Sequence, residues 1–197
     1  MKIKPVILCG GAGTRLFPGF KNAPSKQFID FGGWSLFEKT LHRVKAKIFD
    51  DPIISTNKLY LNLVLKSLKN CKISKYKIIL EPSRKNTAAA IISSSLLNEI
   101  KLNQPILFLP SDHLITQKKT FNKILNTNLK NLNKNNIFIF GIKPKKLSTE
   151  YGYLLNKKIS NRINKVIDFV EKPNRVLASR LIKKNALWNS GIVLARK

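Results

Sequence analysis

An α/β architecture, Rossmann-like, with a mostly parallel sheet and helices on both faces, follows from three features of the sequence. Short, near-continuously apolar runs of Val, Ile, Leu and Phe recur along the chain, as strands buried on both faces require. Between them lie segments whose apolar residues recur at helical spacing. Several runs end in Gly, Pro, Asp or Glu, which puts polar loops past the carboxyl ends of the strands, where open α/β sheets bind ligands. Beyond Gly141 the pattern changes, and an added small sheet segment is expected there.

In chain order, Val6–Cys9 is the first strand. Leu36, Phe37, Leu41 and Val44 then share a helix face, with Ser35 as N-cap. Pro52–Ser55 reads as a short strand, and Leu59, Leu63, Leu65 and Leu68 as a second helix capped by Thr56 or Asn57. Lys77–Leu80 reads as a buried strand ended by Glu81-Pro82. Thr87 or Asn86 caps a helix that runs on to Ile100, its small alanines allowing close approach to the sheet. Pro105–Leu109 is a strongly apolar strand with Asp112 just past its end. Phe121, Ile124, Leu125, Leu129 and Leu132 mark the next helix, and Ile137–Phe140 is a strand closed by Gly141. The later segment offers strands around Tyr151–Leu154, Val166–Val170 and Trp188–Leu194, with a helix at Val176–Lys184.

The 197 residues, 43% hydrophobic, read as a single domain with a core large enough for independent stability. No apolar run reaches membrane-spanning length, and Met1-Lys2 leads directly into a strand, not into a signal-peptide core. Cys9 and Cys71 give neither a disulfide framework nor a metal spacing, and Cys9 reads as a small buried residue. A cytoplasmic protein is expected. The net charge of +27 raises the question of nucleic acid. Residues 1–98 hold 17 cations and 5 acids, residues 99–197 hold 20 and 5, so no basic arm exists. Lys dominates and Arg, the residue that reads bases and phosphates bidentately, is scarce. Dispersed lysines give weak, salt-sensitive attraction and steer anionic nucleotides inward, without a specific nucleic-acid partner.

The chemistry is concentrated in Val6-Ile7-Leu8-Cys9-Gly10-Gly11-Ala12-Gly13-Thr14-Arg15-Leu16 and in Lys26. Glycines at a strand end allow backbone N–H groups to cluster against phosphate oxygens. Arg15 and Lys26 add two cations, and together they read as a triphosphate cradle. The spacing fits neither a P-loop nor the dinucleotide pattern. The loops Gly10–Arg15, Glu81–Thr87 and Asp112 all follow strand ends and are expected to converge on one crevice.

The run G-G-A-G-T-R-L-F-P with S-K-Q-F resembles the signature of sugar-phosphate nucleotidyltransferases, whose fold is GT-A-like. With E-P-S-R-K-N-T-A, L-P-S-D-H, Y-G-Y, F-V-E-K-P and L-W-N-S-G in this order, the chain resembles the bacterial mannose-1-phosphate guanylyltransferases (GDP-mannose pyrophosphorylases) from about Pro5 to Arg196. The resemblance implies attack of a sugar 1-phosphate oxygen on the α-phosphorus of GTP, with release of pyrophosphate. No side-chain base is demanded, and catalysis rests on positioning and charge neutralisation.

In that reading Gly10, Gly11, Ala12, Gly13 and Thr14 take the triphosphate, Arg15 the β- and γ-phosphates, and Lys26 the charge around the α-phosphorus. Asp112 suits Mg2+, the expected cofactor, because this ion favours one or two carboxylates plus phosphates and water. Glu81 can accept from guanine N1–H and N2–H together, worth ~1–3 kcal/mol of discrimination, with Arg84, Asn86 and Thr87 as lesser base contacts. By resemblance Glu171 binds sugar hydroxyls, Lys172 the sugar 1-phosphate, and Gly152 and Asn189 the sugar through a backbone N–H and a side-chain amide. Plainer roles stand beside these: a solvated Lys26, an Asp112 helix cap, a Glu81–Arg84 pair, a packing Trp188. His42 reads as a surface or packing residue and His113 as orienting its loop. The expected partners are GTP and mannose 1-phosphate, with a homo-oligomer left open.

Ala12 is within the family's usual choice and Phe17 replaces its usual Trp. Ser25 stands where the family has Pro immediately before the Lys, and Asn22-Ala23 replaces a more typical polar pair, so the bend that aims Lys26 is expected to shift. The family carries a second metal-binding Asp in a region beyond the stretch matched here. The chain is therefore read as a catalytic domain over 1–197, as a fragment, a minimal form or one that finds that carboxylate elsewhere. A thymidylyl- or cytidylyltransferase and a nucleotide-sugar-binding regulatory subunit are the alternative functions.

Overall fold

The computed structural model describes residues 1–11, 25–30, 32–82, 87–160 and 163–197. These form two compact units, Met1–Phe138 with Val193–Lys197, and Ile139–Ile192.

The first unit is built on β1 (Lys4–Cys9), β2 (Ile53–Asn57), β3 (Lys77–Glu81) and β4 (Pro105–Pro110), parallel in the order β3-β2-β1-β4. Val193–Arg196, the end of β8 (Leu187–Arg196), pairs antiparallel with β4. The mixed, mostly parallel sheet matches the pattern of apolar runs. Val6 and Ile7, which point to opposite faces of β1, are both fully buried. On one face Val6, Ile53, Ile106 and Phe108 form a core with Ile100, onto which Ile91 and Leu97 pack. Each such side chain contributes ~1.5–3 kcal/mol of burial.

The helices of this unit are α1 (Leu36–Arg43), α2 (Leu61–Asn70), α3 (Thr87–Ser95) and α4 (Lys118–Leu129). Ser35 closes a capping box on α1: its hydroxyl accepts from Glu38 N, and its own N–H donates to Glu38 Oε2 at 2.9 Å. Asn57 caps the short 3-10 turn Lys58–Tyr60 ahead of α2, accepting from Tyr60 N. The helix expected to reach Ile100 stops at Ser95. The hydroxyls of Ser93, Ser94 and Ser95 bond back to the carbonyls of Ala90, Ala90 and Ile91, competing with the helical ladder. Lys77–Leu80, expected as a buried strand, is the outermost strand of its unit, and Leu80 is 48% exposed.

The second unit holds β5 (Phe138–Ile142) from Ile139 on, β6 (Tyr153–Lys158), β7 (Asn164–Val170), α5 (Arg175–Lys183) and the first part of β8. β6 pairs antiparallel with β7 and with Leu187-Trp188 of β8. Tyr153, Ala178, Leu181 and Ala186 make its core, with Trp188 packed against it. Gly141, expected to close a strand, lies inside β5: a Cβ there would meet Leu187 Cδ1 at 2.6 Å, so only glycine allows this approach. Among the described residues no helix is long and apolar enough to cross a membrane.

Lys4, at the start of β1, is nearly buried, and its ammonium meets Asp50 Oδ2 at 2.9 Å. Burial opposes ionisation of Asp50, but Lys4, the Gln104 side chain and the Asp51 N–H outweigh it and hold the carboxyl at about 2. A carboxyl lowered in the folded state stabilises the protein at neutral pH and loses that contribution as pH falls from its ordinary value toward 2. The group is one-third exposed, so the effect after solvent screening is about 1 kcal/mol. Urea denaturation from pH 7 to pH 2.5 should show Asp50→Asn less stable at pH 7, the difference shrinking steadily toward the acid end.

Candidate active site

The carboxyl ends of β1, β2, β3 and β4 share one edge of the first unit, and the expected nucleotide residues gather there. β1 ends in Cys9, followed by Gly10 and Gly11; Ala12, Gly13, Thr14 and Arg15 lie outside the described residues, as do Arg84 and Asn86. Glu81 ends β3 beside Gly10: a Cβ on Gly10 would be 3.2 Å from Glu81 Oε2. The fully buried Ser55 donates its hydroxyl proton to Glu81 Oε1 at 2.6 Å. The next two residues of β2 serve the loop as well. Thr56 Oγ1 donates to the Cys9 carbonyl at 3.1 Å, and Asn57 Nδ2 to the Gly10 carbonyl at 3.4 Å. Thr87 is the first residue of α3 and is exposed.

The stretch around Lys26 is stapled to the same loop. The Ser25 hydroxyl lies 2.9 Å from the Gly11 carbonyl oxygen and 2.6 Å from Gln27 Oε1, and Gln27 Nε2 donates to the Gly11 carbonyl at 3.1 Å. Ser25, the departure expected to shift the bend, is thus a buried anchor of that bend. From it Lys26 Nζ reaches Asp112 Oδ2 at 3.1 Å, across 86 residues of sequence. Both side chains are about one-third exposed, so the pair is open to a ligand. Asp112 is held just past β4 by the Ser111 N–H, which donates to the Leu8 carbonyl.

His113 directly follows Asp112 in this loop. Burial lowers its imidazole below the ordinary value against the pull of Asp112, with Arg43 and Lys26 adding to the lowering, so the ring is neutral at pH 7. Its backbone carbonyl accepts from Arg43 Nη2. His42 packs edge-on against Trp34. Burial pushes the Cys9 thiol up to about 12, which makes it an inert core residue.

The residues expected on the sugar side are neighbours within the second unit. The Gly152 carbonyl accepts from Asn189 N at 2.8 Å, and a Cβ on Gly152 would lie 2.7 Å from Glu171 Oε2 and 2.6 Å from the Phe169 ring. Lys172 Nζ is 3.4 Å from Glu171 Oε1, and Lys172 holds a left-handed backbone, φ +43°. Asn189 Oδ1 accepts from Gly191 N, which leaves the amide nitrogen as the group's donor. Trp188 packs against the unit's core and against Tyr151.

Among the described residues no group of three His, Cys, Asp or Glu could cage a metal. Asp112 offers one accessible carboxylate beside a lysine, a donor set that fits an ion completing its shell with phosphate oxygens and water, and does not fit a structural metal. Ser55, Gln27 and Arg43 carry no role that the sequence alone assigns, and Thr56, a candidate helix cap, lies instead within β2, with Asn57 as the cap. The one available signal was three polar residues, Ser55-Thr56-Asn57, closing an otherwise apolar strand.

A sequence model described as nucleotidyl transferase matches residues 4–197. The chain is 35% identical over 200 residues to a mannose-1-phosphate guanylyltransferase of Escherichia coli, covering 96% of this chain and 43% of that protein. It spans about two-fifths of the length of the curated relatives it matches. A Thermus thermophilus structure described as mannose-1-phosphate geranyltransferase superposes with TM-score 0.83 at 25% identity, over the whole chain and 58% of the other. A Helicobacter pylori structure described as mannose-6-phosphate isomerase gives 0.80 at 30% identity, over the whole chain and 71% of the other. By the reach of that match and the level of these identities, the chain belongs to the nucleotidyl transferase family.

Proposed function

We propose that this chain transfers a guanylyl group from GTP to mannose 1-phosphate, giving GDP-mannose and pyrophosphate. The observation that carries the reading is the contact of Lys26 with Asp112 beside the glycine loop, a cation and a carboxylate joined where a nucleotide's phosphates would lie. The E. coli guanylyltransferase supports the choice of substrates.

A phosphate oxygen of mannose 1-phosphate attacks the α-phosphorus of GTP. A new P–O bond forms, the bond to the β-phosphate oxygen breaks, and pyrophosphate leaves with its electron pair. The nucleophile is already an anion, so no proton has to move, in keeping with the neutral His113. Lys26 offsets charge at the α-phosphorus, and Arg15, with the Ala12–Thr14 loop, takes the outer phosphates. Asp112 would hold Mg2+, which when bound supplies charge neutralisation on phosphate oxygens. Glu81 accepts from guanine, with Arg84, Asn86 and Thr87 beside the base. Its Oε1 retains a lone pair after accepting from Ser55, so both oxygens remain acceptors. Glu171, Gly152 and Asn189 take the sugar, and Lys172 its phosphate. These substrates place the activity in the cytoplasm, with no membrane and no specific nucleic acid required.

Pyrophosphate release should be measured for four nucleoside triphosphates against mannose 1-phosphate and glucose 1-phosphate with Mg2+. GTP with mannose 1-phosphate is expected to turn over fastest; tight GTP binding without pyrophosphate would overturn the reading. Glu81→Gln should reduce GTP-over-ATP selectivity by roughly tenfold, as loss of a matched bidentate contact implies. Unchanged selectivity removes Glu81 from base recognition. Lys172→Ala should raise the mannose 1-phosphate KM by about tenfold, the worth of one charge-assisted hydrogen bond, and the GTP KM far less. Equal rises in the two constants would make Lys172 structural.

A further inference from the structure

Arg43 heads the fully buried side chains of the described residues by volume, 2% exposed at the last turn of α1. Among the described residues no carboxylate pairs with it, and its Nε has no hydrogen-bond partner. Burial brings the guanidinium down to about 10, which leaves it charged at neutral pH. A buried charge without a counter-charge is costly, and an apolar side chain of similar volume fills such a space at lower cost.

What the guanidinium does is hold a loop. Nη2 donates to the His113 carbonyl at 2.9 Å, and Nη1 to Thr40 Oγ1 at 3.3 Å. Thr40, fully buried one turn earlier, donates its own hydroxyl hydrogen bond to the Ser111 carbonyl, at 3.5 Å. The two carbonyls held from α1 are those immediately before and after Asp112. The Ser111 N–H is bound to β1 at the same time. The peptide on either side of Asp112 is therefore fixed, while its carboxylate meets Lys26.

We infer that Arg43, acting with Thr40, is a positioning device that clamps the carbonyls flanking Asp112 and sets its carboxylate against Lys26. The inference rests on the proposed role of Asp112 at the nucleotide phosphates. Arg43 touches no substrate in this arrangement and acts through the loop alone.

Two measurements on the intact chain separate the clamp from that role. Hydrogen exchange of the ligand-free protein, followed by mass spectrometry, should show faster exchange over residues 111–116 in Arg43→Met, with β1 and β4 unchanged. Thr40→Val should change the same peptide less, and Arg43→Lys should restore part of the protection. In turnover, Arg43→Met should raise the Mg2+ concentration needed for half-maximal rate by ~10-fold, as loss of an orienting partner of a metal ligand does. The mannose 1-phosphate KM should change less than twofold. Wild-type exchange over 111–116 in Arg43→Met, or an unchanged Mg2+ requirement, overturns the inference. If Arg43→Met does not fold, Thr40→Val, which keeps its volume, decides by the same two readouts. A wild-type chain that releases no pyrophosphate would sink the functional proposal alone, because the exchange measurement still judges the clamp.

Discussion

Strand β1 is hydrogen-bonded on both sides to parallel neighbours and buried on both faces, and the candidate site of the first unit depends on that placement. Parallel pairing puts the carboxyl ends of four strands at one edge, so Gly10, Asn57, Glu81 and Asp112 become neighbours despite their separation in the chain. The apolar core fixes where that edge lies. The edge itself is fixed by polar side chains rising from within the strands, each hydrogen bond worth about 1 kcal/mol net. Burial thus chooses the fold, and a handful of hydrogen bonds chooses how each functional group points.

The division of labour along β2 makes the point concrete. Ser55 faces the Glu81 carboxylate, while Thr56 and Asn57 hold the Cys9 and Gly10 carbonyls. A rim made only of apolar residues would leave those carbonyls and that carboxylate without partners as ligand displaced water, and unsatisfied buried groups are expensive. Ser25 and Gln27 perform the same service for Gly11 from the other side.

Much of this was legible beforehand, for identifiable reasons. The strands of the first unit announced themselves because burial on both faces demands unbroken apolar runs, and Ser35 because a capping box has a local code. Motifs single out Lys26 and Asp112, and the structure brings their side chains together. The exposure of β3 was not legible, because Lys77–Leu80 is as apolar as a central strand and edge position is a property of strand order. The end of α3 is hidden in the sequence because the alanine and isoleucine pattern continues the helix, while three consecutive serines end it. A lone arginine on a helix such as Arg43 reads as solvated, and only the tertiary structure shows that its face turns inward. The anchoring by Ser25 is not legible in the sequence because its partner, the Gly11 carbonyl, lies fourteen residues away.

Lys172 follows β7 with a positive φ and precedes Pro173. A side chain other than glycine in that region carries a strain of about 1–3 kcal/mol, and a following proline steers its predecessor toward extended backbone. Relaxation of this one residue would reverse the direction in which its ammonium leaves the main chain. The surrounding turn therefore helps to set where the Lys172 ammonium stands. Damage to that turn would displace it with every atom of the lysine still present.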